Sequence, residues 1–422
     1  MKKVVLAYSG GLDTSVAVAW LRERSGVEVV TLTVDVGGGS LRQDIAKRAM
    51  QAGAASTYIV DAREPFVRDF CWPSLQANAR YQGTYPLATA LARPLIAQLL
   101  VEVAQREGAD AVAHGCTGKG NDQVRFDVAV HALDPSLDVV APLRVGMGLT
   151  REEEMTYAAE RGIEVPVSRE SPYSVDVNLW GRSIETGILE DPWAAPPADV
   201  YEWTVAPGQA PATPREVVIA FAGGVPVALD GNALPGLDLI ERLNVLGGQH
   251  GVGRIDHVED RLVGIKSREI YEVPAAEILL TAHAALEGLT LSKEQLRFHR
   301  LISDELAQAT YDGLWFSSLH RDLREYVRSS QRVVNGEVRL LLDHGAAVVV
   351  GRRSDDSLYD RGLATYDTGD AFDHAAAVGF IRIWGLPVAT EASRRGSAWS
   401  WTEPLLGSLD VETAGKVASA VR

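Results

Sequence analysis

At 422 residues the chain exceeds what one hydrophobic core usually serves, and 46% hydrophobic with 23% charged residues marks an ordinary globular protein of two or three domains, needing neither disulfides nor metal staples. Its 41 basic and 56 acidic residues leave a net charge of −15, a field that repels a phosphate backbone and excludes a general nucleic-acid binder while allowing a local basic pocket. Cys71 and Cys116 form no disulfide framework or metal spacing, and no apolar run is long enough for a signal peptide or a membrane span, so the chain reads as cytoplasmic, with no membrane partner.

The first third alternates strand-like and helix-like segments. Residues 4–7 are a short buried run, residues 9–13 a turn and residues 14–21 a helical pattern. Residues 27–34, rich in β-branched side chains, predict a second strand; residues 44–52 are helical and residues 58–60 strand-like. Residues 87–107 predict a helix interrupted at Pro94, followed by strands at 111–113 and 137–141. Strands separated by helices require crossovers, which favour a parallel sheet covered on both faces, and so an α/β N-terminal domain over residues 1–165.

The pattern then changes. Prolines crowd residues 192–214, and two hairpins follow: residues 217–221 and 225–229 around Gly223-Gly224, and residues 338–342 and 346–350 around Asp343-His344-Gly345. Ser292 with Gln295 offers a capping-box helix start, and residues 305–326 are largely helix-compatible. These features predict an α+β domain with an antiparallel sheet over residues 166–365, then a C-terminal oligomerisation segment over 366–422.

Chemistry concentrates first at the turn Ala7-Tyr8-Ser9-Gly10-Gly11-Leu12-Asp13-Thr14-Ser15. Two glycines at the exit of a buried strand let the backbone approach a ligand, and their N–H groups together with the next helix's N-terminus make a concave anion site. Ser9, Thr14 and Ser15 add hydroxyls, and Asp13 orients the loop or meets magnesium on the phosphates. A capped βα turn explains Gly-Gly alone. The full Ser-Gly-Gly-x-Asp-Thr-Ser pattern resembles the pyrophosphate loop of N-type ATP pyrophosphatases, which cleave between the α- and β-phosphates. Neither a Walker A lysine loop nor a GxGxxG fingerprint is present, so phosphate binding is expected to fall to backbone dipoles and hydroxyls.

A second constellation is His114-Gly115-Cys116-Thr117-Gly118-Lys119-Gly120-Asn121-Asp122-Gln123-Val124-Arg125-Phe126. Three interleaved glycines allow close approach, while Arg125 suits a carboxylate and Asp122 an ammonium, as a zwitterionic amino acid requires. A polar helix cap accounts for Asn121-Asp122 but not for the whole set. This stretch is similar to the signature of argininosuccinate synthases. The similarity extends through blocks at 85–94, 171–183, 251–272, 311–315 and 385–387, in collinear order over about residues 3 to 388.

The resemblance implies an adenine nucleotide alpha hydrolase-like N-terminal domain and a ligase that joins citrulline to aspartate through citrullyl-AMP, releasing AMP and diphosphate. ATP is then a co-substrate that brings Mg2+ with it, with no metal caged by the protein. It implies ATP contacts at Ala7, Tyr8, Ser9, Gly10, Gly11, Leu12, Asp13, Thr14, Ser15, Val34 and Gly115. Citrulline falls to Tyr85, Ala90, Asn121, Arg125, Ser174, Ser183, Glu259 and Tyr271, and aspartate to Thr117, Asn121 and Asp122. Asp122 is the candidate for orienting the aspartate ammonium and receiving its proton, beside Asp13 in the phosphate loop. It also implies a homotetramer with C-terminal segments reaching across subunits.

Each borrowed residue has a plainer alternative: packing tyrosines at 85 and 271, turn serines at 174 and 183, a solvated charge at 259. Two rival functions share the first loop: another adenylating ATP pyrophosphatase, and a non-catalytic nucleotide-binding relative. The chain departs from the family's usual residues at Gly37-Gly38-Gly39-Ser40 and around Gly83, which bears on loop rigidity near the nucleotide.

Overall fold

The computed structural model describes residues 1–39, 44–163, 172–367 and 369–396. Ser40 and Ser171 of the motifs above, the expected boundary at 165/166 and the tail beyond 396 lie outside them. The chain divides into two compact units, Met1–Leu358 and Tyr359–Arg422.

The first unit begins with five parallel strands, β1 (Lys3–Ala7), β2 (Glu28–Asp35), β3 (Ser56–Asp61), β4 (Ala111–Ala113) and β5 (Asp138–Val140), in the order β3-β2-β1-β4-β5. Alternation along β1 explains the layering. Val4 and Leu6 join one core with the helices Leu12–Ser25 and Ile45–Gln51, while Val5 joins another with Ala88–Glu107 and Asp122–Leu133. Strands buried on both faces read as continuous apolar runs, which is why residues 4–7 show no alternation in sequence. The mixed α/β class expected from the sequence is the observed one.

Nine further strands build two antiparallel sheets. They are β6 (Ser174–Asn178), β7 (Gly181–Glu185), β8 (Arg215–Ala222), β9 (Val225–Leu229), β10 (Asn232–Ala233), β11 (Arg254–Asp260), β12 (Lys266–Glu272), β13 (Gly336–Asp343) and β14 (Ala346–Arg353). One sheet runs β10-β9-β8-β13-β14 and the other β11-β12-β7-β6. Both predicted hairpins are present, β8–β9 turning on Gly223 and Gly224 at positive φ.

One expectation needed adjustment. Pro94 does not interrupt its helix, which runs unbroken over Ala88–Glu107 because its apolar face is buried along most of its length; tertiary packing outweighs the missing hydrogen bond. Residues 305–326 are largely helical, shared between Lys293–Tyr311 and Ser318–Ser330 with a break between them, the former starting at the Ser292–Gln295 capping box. The break carries Gly313 at φ +79°, where a Cβ would strike Arg125 Cα at 2.8 Å. This tight approach places Tyr311 beside Arg125.

The second unit contributes helices Arg361–Ala364, His374–Trp384 and Leu386–Arg395, with Phe380, Ile381, Ile383 and Trp384 exposed. No helix among the described residues is long and apolar enough to cross a membrane.

Candidate active site

In the parallel sheet, β2 and β3 lie on one side of β1, and β4 and β5 on the other. Chain direction therefore diverges between β1 and β4, and loops leaving their carboxyl ends open a crevice where ligands of such folds bind. The two motifs found in the sequence are those loops.

The first loop follows β1. Gly10 sits at φ +76°, and a Cβ there would press Ile45 at 3.2 Å. Gly11 precedes the helix Leu12–Ser25, whose N-terminus has no side-chain cap, so its first N–H groups face the crevice. Ser9 Oγ lies 3.1 Å from Thr14 Oγ1 and accepts from Gly11 N at 3.3 Å, which shapes the turn. A pocket of about 330 Å³ is lined by Ser9, Gly11, Leu12, Asp13, Thr14, Gly115 and Arg151. Tyr8 is buried behind it with Oη 3.0 Å from Ser15 Oγ. Ala7 closes the strand, and Val34 packs half-buried against the sheet's cores.

The second loop follows β4. His114 Nδ1 accepts from Cys116 N at 3.2 Å, which leaves the proton on Nε2 to donate to Asp127 at 2.8 Å. A Cβ on Gly115 would sit 3.0 Å from Thr14 Cγ2, so the two loops are in contact. Burial pushes the Cys116 thiol up, which removes it as a nucleophile at neutral pH.

Beyond Gly120 the loop enters a second, tighter cleft between helix Asp122–Leu133, the β11–β12 hairpin and β7. Tyr85, Asn121, Asp122, Arg125, Ser183, Glu259 and Tyr271 line it together, as do Thr89, Asp176, Glu185, Arg261, Glu269 and Tyr311. Glu259 is held by two phenols, Tyr271 Oη donating at 2.6 Å and Tyr311 Oη at 2.5 Å. Tyr85 stacks on Tyr271 with ring centroids 4.2 Å apart, and its oxygen accepts from Thr89 N at 2.9 Å and Ala90 N at 3.4 Å. Ala90 thus contributes its backbone. Asn121 donates to Tyr311 Oη at 2.7 Å and accepts from Leu262 N at 2.9 Å, so its amide fastens the loop to two other elements.

Charges are dense here. Arg125 reaches Asp122 at 2.9 Å and Tyr311 O at 2.9 Å, while Arg93 pairs with Asp122 at 2.8 Å and with Asp176. Burial acts to raise the Asp122 carboxyl, but Arg93 and then Arg125 outweigh it and hold it at about 2. Arg261 bridges Glu185 and Glu269, and burial beside Glu185 and Glu259 pushes Glu269 well above the usual carboxylate range. Arg125 Nη2 and Arg93 Nε are buried without a hydrogen-bond partner among the described residues. Such donors suit an incoming carboxylate or carbonyl oxygen. Beside Asp13 of the phosphate pocket, burial and that neighbouring carboxylate push Glu154 up to about 7.

Two predicted residues stand apart. Ser174 is exposed on β6, its N–H donating to Thr186 Oγ1 at 3.0 Å, and Thr117 is exposed in the second loop. Sequence reasoning passed over Arg93, Asp176 and Tyr311 as ligand groups, although each lay inside a motif block. The spacing of Asp176 two residues from Ser174 on a strand was the available signal.

Two family descriptions cover most of the chain: "Arginosuccinate synthase N-terminal HUP domain" matches residues 3–164, and "Arginosuccinate synthase C-terminal domain" matches residues 173–391. Proteins named argininosuccinate synthase are similar throughout. The one from Dehalococcoides mccartyi is 54% identical over 391 residues, covering 93% of this chain and 96% of its own. That from Bacillus velezensis is 55% identical over 386 residues, covering 92% and 95%, and that from Symbiobacterium thermophilum 55% over 393 residues, covering 93% and 98%. With two touching glycine loops at the sheet's divergence point, a tyrosine- and arginine-lined cleft beside them, and relatives of this closeness over nearly all its length, the chain belongs to the argininosuccinate synthase family.

Proposed function

We propose that the chain is an ATP-dependent ligase of arginine biosynthesis that converts ATP, citrulline and aspartate to AMP, diphosphate and argininosuccinate. The observation that carries this reading is the contact between Thr14 and Gly115, which holds against the phosphate pocket the same loop whose far end, from Gly120 to Asp122, lines the amino-acid cleft.

The ureido oxygen of citrulline attacks the α-phosphorus, its bond to the β-bridging oxygen breaks, and diphosphate leaves with the electron pair. The oxygen is now part of a good leaving group. The aspartate amine attacks the activated carbon, loses a proton and expels AMP. Alignment and charge stabilisation supply the rate, effects together worth roughly 7–11 kcal/mol in favourable cases.

In this scheme residues 7–15, with Val34 and Gly115, hold ATP. The carboxylate of Asp13 and the hydroxyls of Ser9 and Thr14 are oxygen donors suited to a magnesium ion arriving with the phosphates. Arg125 takes the citrulline carboxylate, supported by its unpartnered Nη2. Tyr85, Ser183, Glu259 and Tyr271 shape and charge the cleft around the amino acid, with Ala90 bracing Tyr85. Asn121 fixes the loop between both amino acids and Asp122 faces the aspartate ammonium, while Ser174 and Thr117, which do not line the cleft, keep the citrulline and aspartate roles that the family resemblance gives them. A carboxylate held at about 2 is a weak proton acceptor, so orientation is its stronger contribution. The protein works in the cytoplasm as a homotetramer; the exposed apolar face of His374–Trp384 supports the association of copies, and the number four follows the family resemblance.

The test measures diphosphate release from ATP with citrulline present, then AMP and argininosuccinate once aspartate is added. Release that depends on ammonia or RNA instead, or no release at all, overturns the proposal.

A further inference from the structure

A loop without a lysine leaves the outer phosphates of a nucleotide facing only backbone N–H groups and hydroxyls. The structure supplies a cation from elsewhere in the chain. Arg151 lines the phosphate pocket with Ser9, Gly11, Asp13, Thr14 and Gly115, and it is the one basic residue among those lining it. Among the described residues its guanidinium has no hydrogen bond or ion pair, and its charge acts at longer range on Glu154, one turn on.

The base of Arg151 is firmly placed. It is the first residue of helix Arg151–Glu160, where Thr150 Oγ1 accepts from Glu153 N at 3.3 Å and Glu153 Oε2 accepts from Thr150 N at 2.7 Å. One turn on, Glu154 is buried and hydrogen-bonds Asp13. At the far end, Tyr157 and Arg161 both hold Glu23 of the phosphate-loop helix, at 2.8 and 2.9 Å. The helix is therefore tied to the loop helix at both ends, with a long flexible cation at its head.

We infer that Arg151 is a catalytic residue of the adenylation step, its guanidinium binding the β- and γ-phosphates and stabilising the diphosphate that departs. This rests on the ligase reading above. The planar fork matches phosphate oxygens in pairs, and charge that accumulates on the leaving diphosphate strengthens the contact as the α–β bond breaks. The α-phosphate, retained in AMP, lies outside its task.

The experiment compares ATP, inorganic diphosphate and AMP on the full chain and its Arg151→Gln and Arg151→Lys variants, by competition binding and by citrulline-dependent diphosphate release. In Arg151→Gln, ATP and diphosphate affinities should fall roughly 10- to 100-fold while AMP affinity holds, because the loss is one charge-assisted contact. The rate of diphosphate release at saturating ATP should fall as well, and lysine should restore part of both. Equal weakening of AMP, or no change in any of the three, overturns the assignment. If the unmodified chain releases no diphosphate with citrulline, the ligase reading fails, while the three binding measurements still judge Arg151.

Discussion

Glu259 shows how a single side chain organises the amino-acid cleft. Two tyrosines donate to its two oxygens, one from β12 and one from the end of Lys293–Tyr311, and Asn121 in turn donates to the second of these. Removing one phenolic oxygen leaves both a charged acceptor and an amide donor short of a partner, which costs more than the net value of a hydrogen bond. Tyr311→Phe should therefore raise the citrulline KM about tenfold and leave the ATP KM unchanged; steady-state kinetics with each substrate varied will show it, and an equal rise for ATP would refute it. Asp122 offers a second test. Its carboxylate neutralises Arg93 and Arg125, so Asp122→Asn should lower complete turnover at least ~100-fold while citrulline-dependent diphosphate release falls much less. Unaltered turnover would remove Asp122 from the mechanism.

Away from the site, the contact between helices depends on a buried polar ring. Asn78 Nδ2 and Gln331 Nε2 donate to Glu287 at 2.5 and 2.6 Å, and His283 lies 2.8 Å from the oxygen of each amide. Burial pushes the Glu287 carboxyl from 4.5 up to about 7, against the two amide donors, and pushes His283 down to about 3. A raised acid contributes stability that is complete below its unfolded value and lost as pH climbs through its folded one, while the lowered histidine adds stability as pH rises from about 3 toward 6.5. Replacing Glu287 by glutamine, which mimics the protonated acid, deletes only the first effect. Relative to the unmodified chain, Glu287→Gln should gain roughly 3 kcal/mol between about pH 4.5 and 7 in denaturant titrations; a gap that does not vary with pH would show the carboxyl is already ionised. Elements of this kind were only partly legible. Strands β1, β2 and β4 declared themselves because both faces are buried, and the edge strands β3 and β5 by their β-branched residues. Strands β11 and β12 read RIDHVED and KSREIYE, and their polar residues hid the extended pattern because several of them face the cleft. Pro94 misled for the opposite reason, since a local rule was overridden by packing.

Across the whole molecule, the parallel sheet supplies the phosphate pocket and the sheet β11-β12-β7-β6 supplies much of the amino-acid cleft. The glycine motifs of both loops were readable because tight backbone approach admits few residue types, whereas Arg151 was not, since it reaches its pocket from a distant point in the chain and looks ordinary in its own helix. The two sheets also meet at a place the sequence marked only as a departure. Leu179 N donates to Val36 O at 2.9 Å, and a Cβ on Gly38, at φ +84°, would lie 2.4 Å from Asn178 O. A single methyl there has backbone to push against and nowhere to go, so Gly38→Ala works as a wedge driven into a seam. Each half should still load its own ligand, with dissociation constants for ATP and citrulline measured singly within about threefold of the parent. Their union should suffer, because an ångström of misplacement between reacting atoms can cost about 100-fold in rate. A protein that grips both reagents and yet cannot marry them would locate the enzyme's precision in that joint, and undiminished turnover would locate it elsewhere.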